Sequence, residues 1–322
     1  QGSRGHRVRS WIESSTVKAE GDITVQSDFK SRINAWAMGG SLTGAASSSG
    51  LSGALAGAGA GAKNKIKATV EAIIVDSDVV TNAGKGGDVI LLANDDSRII
   101  ADAGGAAVAI MAGGGLGGAV SVGVGIAKNE ILNTTRTMID GSTVSSDGSI
   151  ELLATSTADI DALAYGGAAS VSYSSQSNLA LAGAGGAVVN DIQNETESCI
   201  VDSSTADAIK AVGGDVRIVA SDHSLIHAEV AGAAVSFSGG TSPSGSVSIA
   251  AVTSDNKIKN RVQAYIDSSS VTAASGDVEI TAEIPDNARI ASTAVAAILA
   301  LSGISAVIST SPLAAATLER ST

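Results

Sequence analysis

The chain has 322 residues, a formal net charge of −12 and 44% hydrophobic residues, of which only 2% of the chain is aromatic, so its apolar content is Ala, Val, Ile and Leu separated by 38 Gly. Three Pro, 16% charged residues and a mean hydropathy of +0.28 exclude the Pro-rich or highly charged composition of disordered chains. The single Cys199 excludes a disulfide-stapled small domain, and the acidic balance excludes a nucleic-acid partner, which requires a basic face.

In chain order, the first sign of organisation is a marker made of an aliphatic residue, an acid and small hydroxyl residues. It reads Ile12-Glu13-Ser14-Ser15, then Val75-Asp76-Ser77, Ile139-Asp140-Gly141-Ser142, Val201-Asp202-Ser203-Ser204 and Ile266-Asp267-Ser268-Ser269. The acids are 63, 64, 62 and 65 residues apart (76−13, 140−76, 202−140, 267−202). A fixed period of this kind signals a repeat architecture. One continuous unit of about five repeats is expected, with boundaries at 7–69, 70–134, 135–195, 196–261 and 262–322. Arg7-Val8-Arg9-Ser10-Trp11-Ile12 aligns with Arg261-Val262-Gln263-Ala264-Tyr265-Ile266. The chain is therefore expected to begin inside a repeat, with any targeting signal lying outside it.

After each marker comes a turn: Gly21-Asp22, Gly87-Asp88, Gly148-Ser149, Gly214-Asp215 and Gly276-Asp277. A long alternation follows. Every second residue reads Ile150, Leu152, Ala154, Ser156, Ala158, Ile160, Ala162, Ala164 in one copy and Val216, Ile218, Ala220, Asp222, Ser224, Ile226, Ala228, Val230 in the next. Period two predicts strand, with Ile160 and Ile226 inward and Asp159, Asp161, His223 and His227 outward. The polar pair in mid-run is read as a corner where one strand becomes two.

A Gly/Ala-rich half follows at 39–62, 104–127, 166–189, 232–252 and 294–314. Both alternation phases are small there, so either the solenoid is flattened or this surface packs on something else. The favoured reading is that these strands are internal, covered by the alternating half. The last run of each repeat alternates again: Asn129, Ile131, Asn133; Asn190, Ile192, Asn194; Asn256, Ile258, Asn260; and Asn64, Ile66, then Ala68. Stacked rungs place these Asn one above another at about 4.8 Å, close enough for an amide ladder.

The fold class expected is all-β, a tandem-repeat parallel β-solenoid with Gly/Ala-rich strands and about three rungs per repeat. One wide, flat rung per repeat and a flat antiparallel repeat sheet are the alternatives. The run from Asn129 to Val144, with Gly148-Ser149-Ile150-Glu151-Leu152 and Ala164-Tyr165-Gly166-Gly167-Ala168-Ala169, resembles the repeats of giant bacterial filamentous adhesins, the filamentous-haemagglutinin-like and leukotoxin-type surface proteins. The resemblance extends over essentially the whole chain. It implies an exported, cell-surface or extracellular shaft or spacer and transfers no catalytic residue.

No catalytic, cofactor-binding or metal-binding residue is expected. Gly113-Gly114-Gly115-Leu116-Gly117-Gly118 has dinucleotide-fingerprint spacing, but alternation from Ala119 to Ile139 replaces the helix that motif needs. His223 and His227 would be about 13 Å apart on a strand, too far for one ion. Asp22, Asp88, Asp215 and Asp277 invite Ca²⁺, yet an acid after Gly is ordinary turn chemistry and no calcium-roll nonapeptide is present. Asn133-Thr134-Thr135 and Asn194-Glu195-Thr196 have the glycosylation spacing on an inward face. Lys257, Lys259, Asn260 and Arg261 resemble Lys63, Lys65 and Lys67, so they are read as repeat chemistry and not as the local site of a polysaccharide-active enzyme. Expected partners are neighbouring repeats of a longer parent or other copies, through the Gly/Ala-rich face in a fibre or matrix, and a host or cell-surface glycan or protein. No 18-residue apolar span free of Gly stands out, so no membrane span is expected.

Overall fold

The computed structural model describes residues 5–81, 85–284, 289–302 and 305–321. Strands dominate them, and they run β1 His6–Glu13, β2 Thr16–Ala19, β3 Ile23–Ser47, β4 Ser52–Val75, β5 Asp78–Thr81, β6 Val89–Gly113, β7 Gly117–Asp140, β8 Thr143–Ser146, β9 Ile150–Ser174, β10 Asn178–Ile192, β11 Glu195–Val201, β12 Ile209–Ala211, β13 Val216–Gly240, β14 Ser244–Asp267, β15 Val271–Ala273, β16 Val278–Glu283, β17 Arg289–Ser302 and β18 Ser305–Ser321. They form three sheets, and every pairing among the described strands is parallel. The protein is a parallel β-solenoid, and the antiparallel alternative is overturned.

Each coil has two very long sides and one short base. A base strand such as β8 leads into β9, which crosses to β10 at a tip turn; β10 and β11 return to the base. Partners lie 60 to 66 residues apart: Ile150 pairs with Val89 and Val216, and Ile192 with Ile131 and Ile258. One repeat is therefore one wide coil, and the expectation of three rungs per repeat is corrected. A 25-residue strand such as β6 spans about 80 Å, whereas each added coil advances the stack by only about 4.8 Å. The coil is a flat blade.

The core tapers from base to tip. Beside the short sheet, three walls enclose Val89, Leu91, Ile139, Val144, Ile150, Leu152, Ile200 and Val216. Further out, two sheets face each other over Ile99, Ile131, Ile160, Ile192, Ile226 and Ile258, with Ala between them. Toward the tip the hydrophobic filling is chiefly Ala. At the start of this thin zone Gly39, Gly105, Gly166 and Gly232 stack on one inward column. A Cβ on Gly105 would run into the carbonyl oxygens of Val124 and Ala58 on the facing sheet, and one on Gly166 into those of Gly185 and Gly123. Glycine here lets two backbones touch.

Candidate functional surface

The corners explain the markers. Ser77 Oγ donates to the Val75 carbonyl (2.7 Å) and accepts from the Ser15 amide one coil away (3.1 Å). Ser142, Ser203 and Ser269 continue the column at 3.1 Å per step. The residue before each serine turns the chain in the left-handed region: Ser14 φ 48°, Asp76 49°, Gly141 55°, Asp202 50°, Ser268 49°. The structural equivalence is thus set by Ser15, Ser77, Ser142, Ser203 and Ser269. The acids do not share one position: Glu13, Asp140 and Asp267 end strands, while Asp76 and Asp202 occupy the turn.

The amide ladder forms as expected. Asn64 Nδ2 donates to Asn129 Oδ1 (2.8 Å), Asn129 to Asn190 (2.8 Å) and Asn190 to Asn256 (2.7 Å). Of these, Asn129, Asn190 and Asn256 are buried. In the second column Asn133, Asn194 and Asn260 accept neighbouring or donate across the core. Asn133 Oδ1 takes the Ala68 amide (2.8 Å), while its Nδ2 reaches Asp95 Oδ2 (2.7 Å) and Ser97 Oγ (2.9 Å). Asn194 Nδ2 reaches Ser156 Oγ (3.1 Å) and Asp222 Oδ2 (3.3 Å), and Asn260 Nδ2 reaches Ser224 Oγ (2.7 Å). The mid-run polar pair is therefore no corner: β6, β9 and β13 pass straight through it, and it meets the Asn column of the facing sheet. Burial pushes the Asp95 carboxyl up to about 6, against hydrogen bonds from Ser97 and Asn133 that favour its charge. Burial also raises Asp222.

The outer face of the base half is charged and stitched from coil to coil: Lys65–Glu130 at 2.8 Å, Arg98–Asp159 at 3.1 Å and Arg217–Glu279 at 2.9 Å. Arg261 lies 3.6 Å from Glu195 of the neighbouring coil and joins this pattern, while Lys257 contacts Asp255 on its own strand (2.9 Å) and Asn260 points inward. Ile160 and Ile226 are buried as expected. Asp159, Asp161, His223 and His227 lie on the opposite phase but are half-buried, because coils above and below cover their flanks. His227 Nδ1 lies 3.3 Å from Asp161 and its Nε2 3.6 Å from Glu229.

The turn acids stack as well. Asp22 Oδ1 accepts the Asp88 amide (2.9 Å), Asp88 Oδ1 the Ser149 amide (2.7 Å), and Asp215 Oδ1 the Asp277 amide (2.9 Å). Among the described residues no group of three or more His, Cys, Asp or Glu is arranged to hold a metal. Gly114, Gly115 and Leu116 form a tip turn between β6 and β7, with no helix for a phosphate. Asn133 and Asn194 point inward, away from any glycan. Cys199 is buried, and burial raises its thiol to about 11.

The feature that sequence reasoning missed is an inversion of polarity at the glycine column. On the base side Ile and Val point in and, apart from the buried Asp95 and Asp222, most charges point out. Beyond Gly166, β9 turns Ser170, Ser172 and Ser174 inward, all buried, while Val171 and Tyr173 face outward. In β13, Ser236 and Ser238 are buried while Val235 and Phe237 are exposed; in β14, Ser246 and Ser248 are buried and Ile249 is 52% exposed. Ser121 and Ser170 bond each other across the core (2.9 Å), as do Ser236 and Ser248 (2.8 Å). Val120, Val122, Leu181, Val247 and Ile249 line one shallow apolar depression on the outside. The Gly/Ala-rich half is therefore not covered by the alternating half: it forms the distal part of the blade, flattened on itself, with both outer faces open. The inversion was readable as a phase switch of the large apolar residues, from even positions at Ile150 and Leu152 to odd positions at Val171 and Tyr173. Comparison with protein-family models, curated proteins and solved structures finds no match.

Proposed function

We propose that this chain is a non-enzymatic structural segment of a large exported bacterial surface protein, of the filamentous-adhesin kind its repeats resemble. The observation that supports this is the sameness of the coils. The Asn129 column, the Ser142 corner and the Gly166 column each recur in coil after coil, whereas catalysis needs one coil that differs. Repeat stacks of this kind grow by adding like units.

The one-coil repeat changes what such a segment contributes. A 63-residue coil that adds about 4.8 Å is a poor spacer per residue but presents two broad faces. We therefore read the segment as a blade or wall and not as a thin shaft. Immunogold labelling of intact producing cells with antibodies to this chain tests the reading. Label on unpermeabilised cells is the expected result, and label only after permeabilisation would overturn it. Lateral self-association is the second reading, favoured by the exposure of Val122 and Ile249; sedimentation equilibrium of the isolated chain measures it.

A further inference from the structure

A soluble blade should place its apolar residues inside along its whole width. This one does so only between the base and the glycine column. Beyond it Ala and Ser, with Met111, fill the inside, while most of the larger Val, Ile, Leu, Phe and Tyr side chains face outside, so the outer faces carry more apolar bulk than the interior, as on strands that face lipid. Leu55, Val122, Ile126 and Ile249 are exposed on one outer face, and Met38, Leu42, Ile110, Tyr173 and Phe237 on the other. A water-exposed monomer rarely carries apolar faces of this extent.

We propose that the distal half of the blade inserts edge-on into a lipid bilayer, its two outer faces against hydrocarbon. The proposal stands apart from the exported-blade reading, since a blade that stayed out of lipid would still be a blade. The dimensions favour lipid. Residues 33–62, 103–127, 162–190 and 230–254 contain no charged side chain, and each runs out to a tip turn and back. From Asp102 to the turn, residues 103–113 cover about 36 Å, and residues 117–127 return the same distance. A bilayer core is about 30 Å thick and is crossed by strands of about 9–11 residues.

The borders favour it too. Trp36, 78% exposed, and Tyr165 lie at the charged edge of the band, and Tyr173 and Phe237 lie near the tip. Tyr165 and Tyr173 are separated by about 26 Å along one strand, which is the spacing of aromatic girdles at the two interfaces of membrane β-proteins. Four of the chain's seven aromatic residues occupy these borders on one face. The tips, Ser48-Ser49-Gly50 and Ser175-Gln176-Ser177, are polar enough for headgroups. Inside the band β6, β7, β9, β10, β13 and β14 bond a neighbouring coil on each side, as a water-free medium requires. A second copy would need only one apolar face, whereas here both faces turn apolar at the same height. That no helix among the described residues is long and apolar enough to cross a membrane has no bearing on strands.

The test is flotation of the purified chain with phosphatidylcholine vesicles. The chain is expected to rise with the vesicles. Val122→Asp combined with Phe237→Asp should cut the bound fraction at least tenfold with an unchanged far-UV circular dichroism spectrum, and Thr157→Asp, outward on the base half, should leave it unchanged. A parallel measurement leaves Val122 and Phe237 in place. With Trp11→Phe, Trp36 is the only tryptophan, and brominated acyl chains should quench it by half or more; with Trp36→Phe, the remaining Trp11 should be unquenched. A chain that stays in the lipid-free fraction overturns the proposal, as does equal quenching of both tryptophans. So does a chain that stays lipid-free and sediments as lateral dimers dispersed by the two Asp substitutions, which would identify a second copy as the occupant.

Discussion

Substituting Gly105 tests the contact of backbones across the blade. Its Cα faces inward, and a Cβ there would overlap the Val124 and Ala58 carbonyl oxygens. Those atoms belong to strands fixed by their own coil-to-coil bonds, so relief requires the two sheets to part. Overpacking of a tight interior costs about 1–3 kcal/mol, and Gly105→Ala belongs at the upper end because no side chain can yield. Gly57 lies on an outward position with nothing within 4 Å of a built Cβ. There Gly→Ala removes unfolded-chain entropy and should stabilise by about 0.4–1 kcal/mol. The two substitutions, chemically identical, should shift the urea midpoint in opposite directions, a gap of about 2–4 kcal/mol from those two ranges. Equal shifts, or a stabilising Gly105→Ala, would refute the claim that the facing backbones touch.

Asp95 should make the protein more stable in mild acid. Its folded-state value, about 6, lies above the ordinary 3.8, so the folded state holds a proton that the unfolded state has released between those values. Stability then falls as pH rises from about 4 to 6, by on the order of 3 kcal/mol, and Asp95→Asn should flatten that slope in urea titrations at pH 4.5 and 7.5. Asn190→Leu removes the link between Asn129 and Asn256 and leaves a donor and an acceptor buried. A loss of about 2–4 kcal/mol is expected, seen as a lower urea midpoint. A chain ending at Asp267 should stay folded by far-UV circular dichroism, because each coil contacts chiefly its neighbours; loss of all β signal would show that stability is not local to neighbouring coils.

Much of this architecture was legible because stacking repeats the same residue. Asn129, Asn190 and Asn256 recur at one place in an alternation, and only a parallel stack lets each amide serve the next. Phase was legible for the same reason: Ile160 and Ile226 sit where a strand needs one face covered. The width of the coil was not legible. Ser156 and Asp222 look like corner residues within their own strands, and their reason for being inward, the amides of Asn194 and Asn260, lies 28 to 38 residues away on the facing sheet. The acid marker misled by one position, since the turn tolerates Ser, Asp or Gly in the left-handed region while the bonded serine two residues past the strand is what stacks. In the distal half, Ala, Gly and Ser on both phases hid the inversion, because small side chains carry little of the contrast on which periodicity depends.

The most direct test is the distance between spin labels at Thr157→Cys and Tyr173→Cys, with Cys199→Ser to remove the native thiol. Both positions face outward on β9, sixteen residues apart. One unbroken wide strand separates them by about 50 Å, and double electron–electron resonance should return a single distribution centred there. A distribution centred below about 30 Å, as a coil of some 20 residues would give by turning back on itself, would contradict the wide blade.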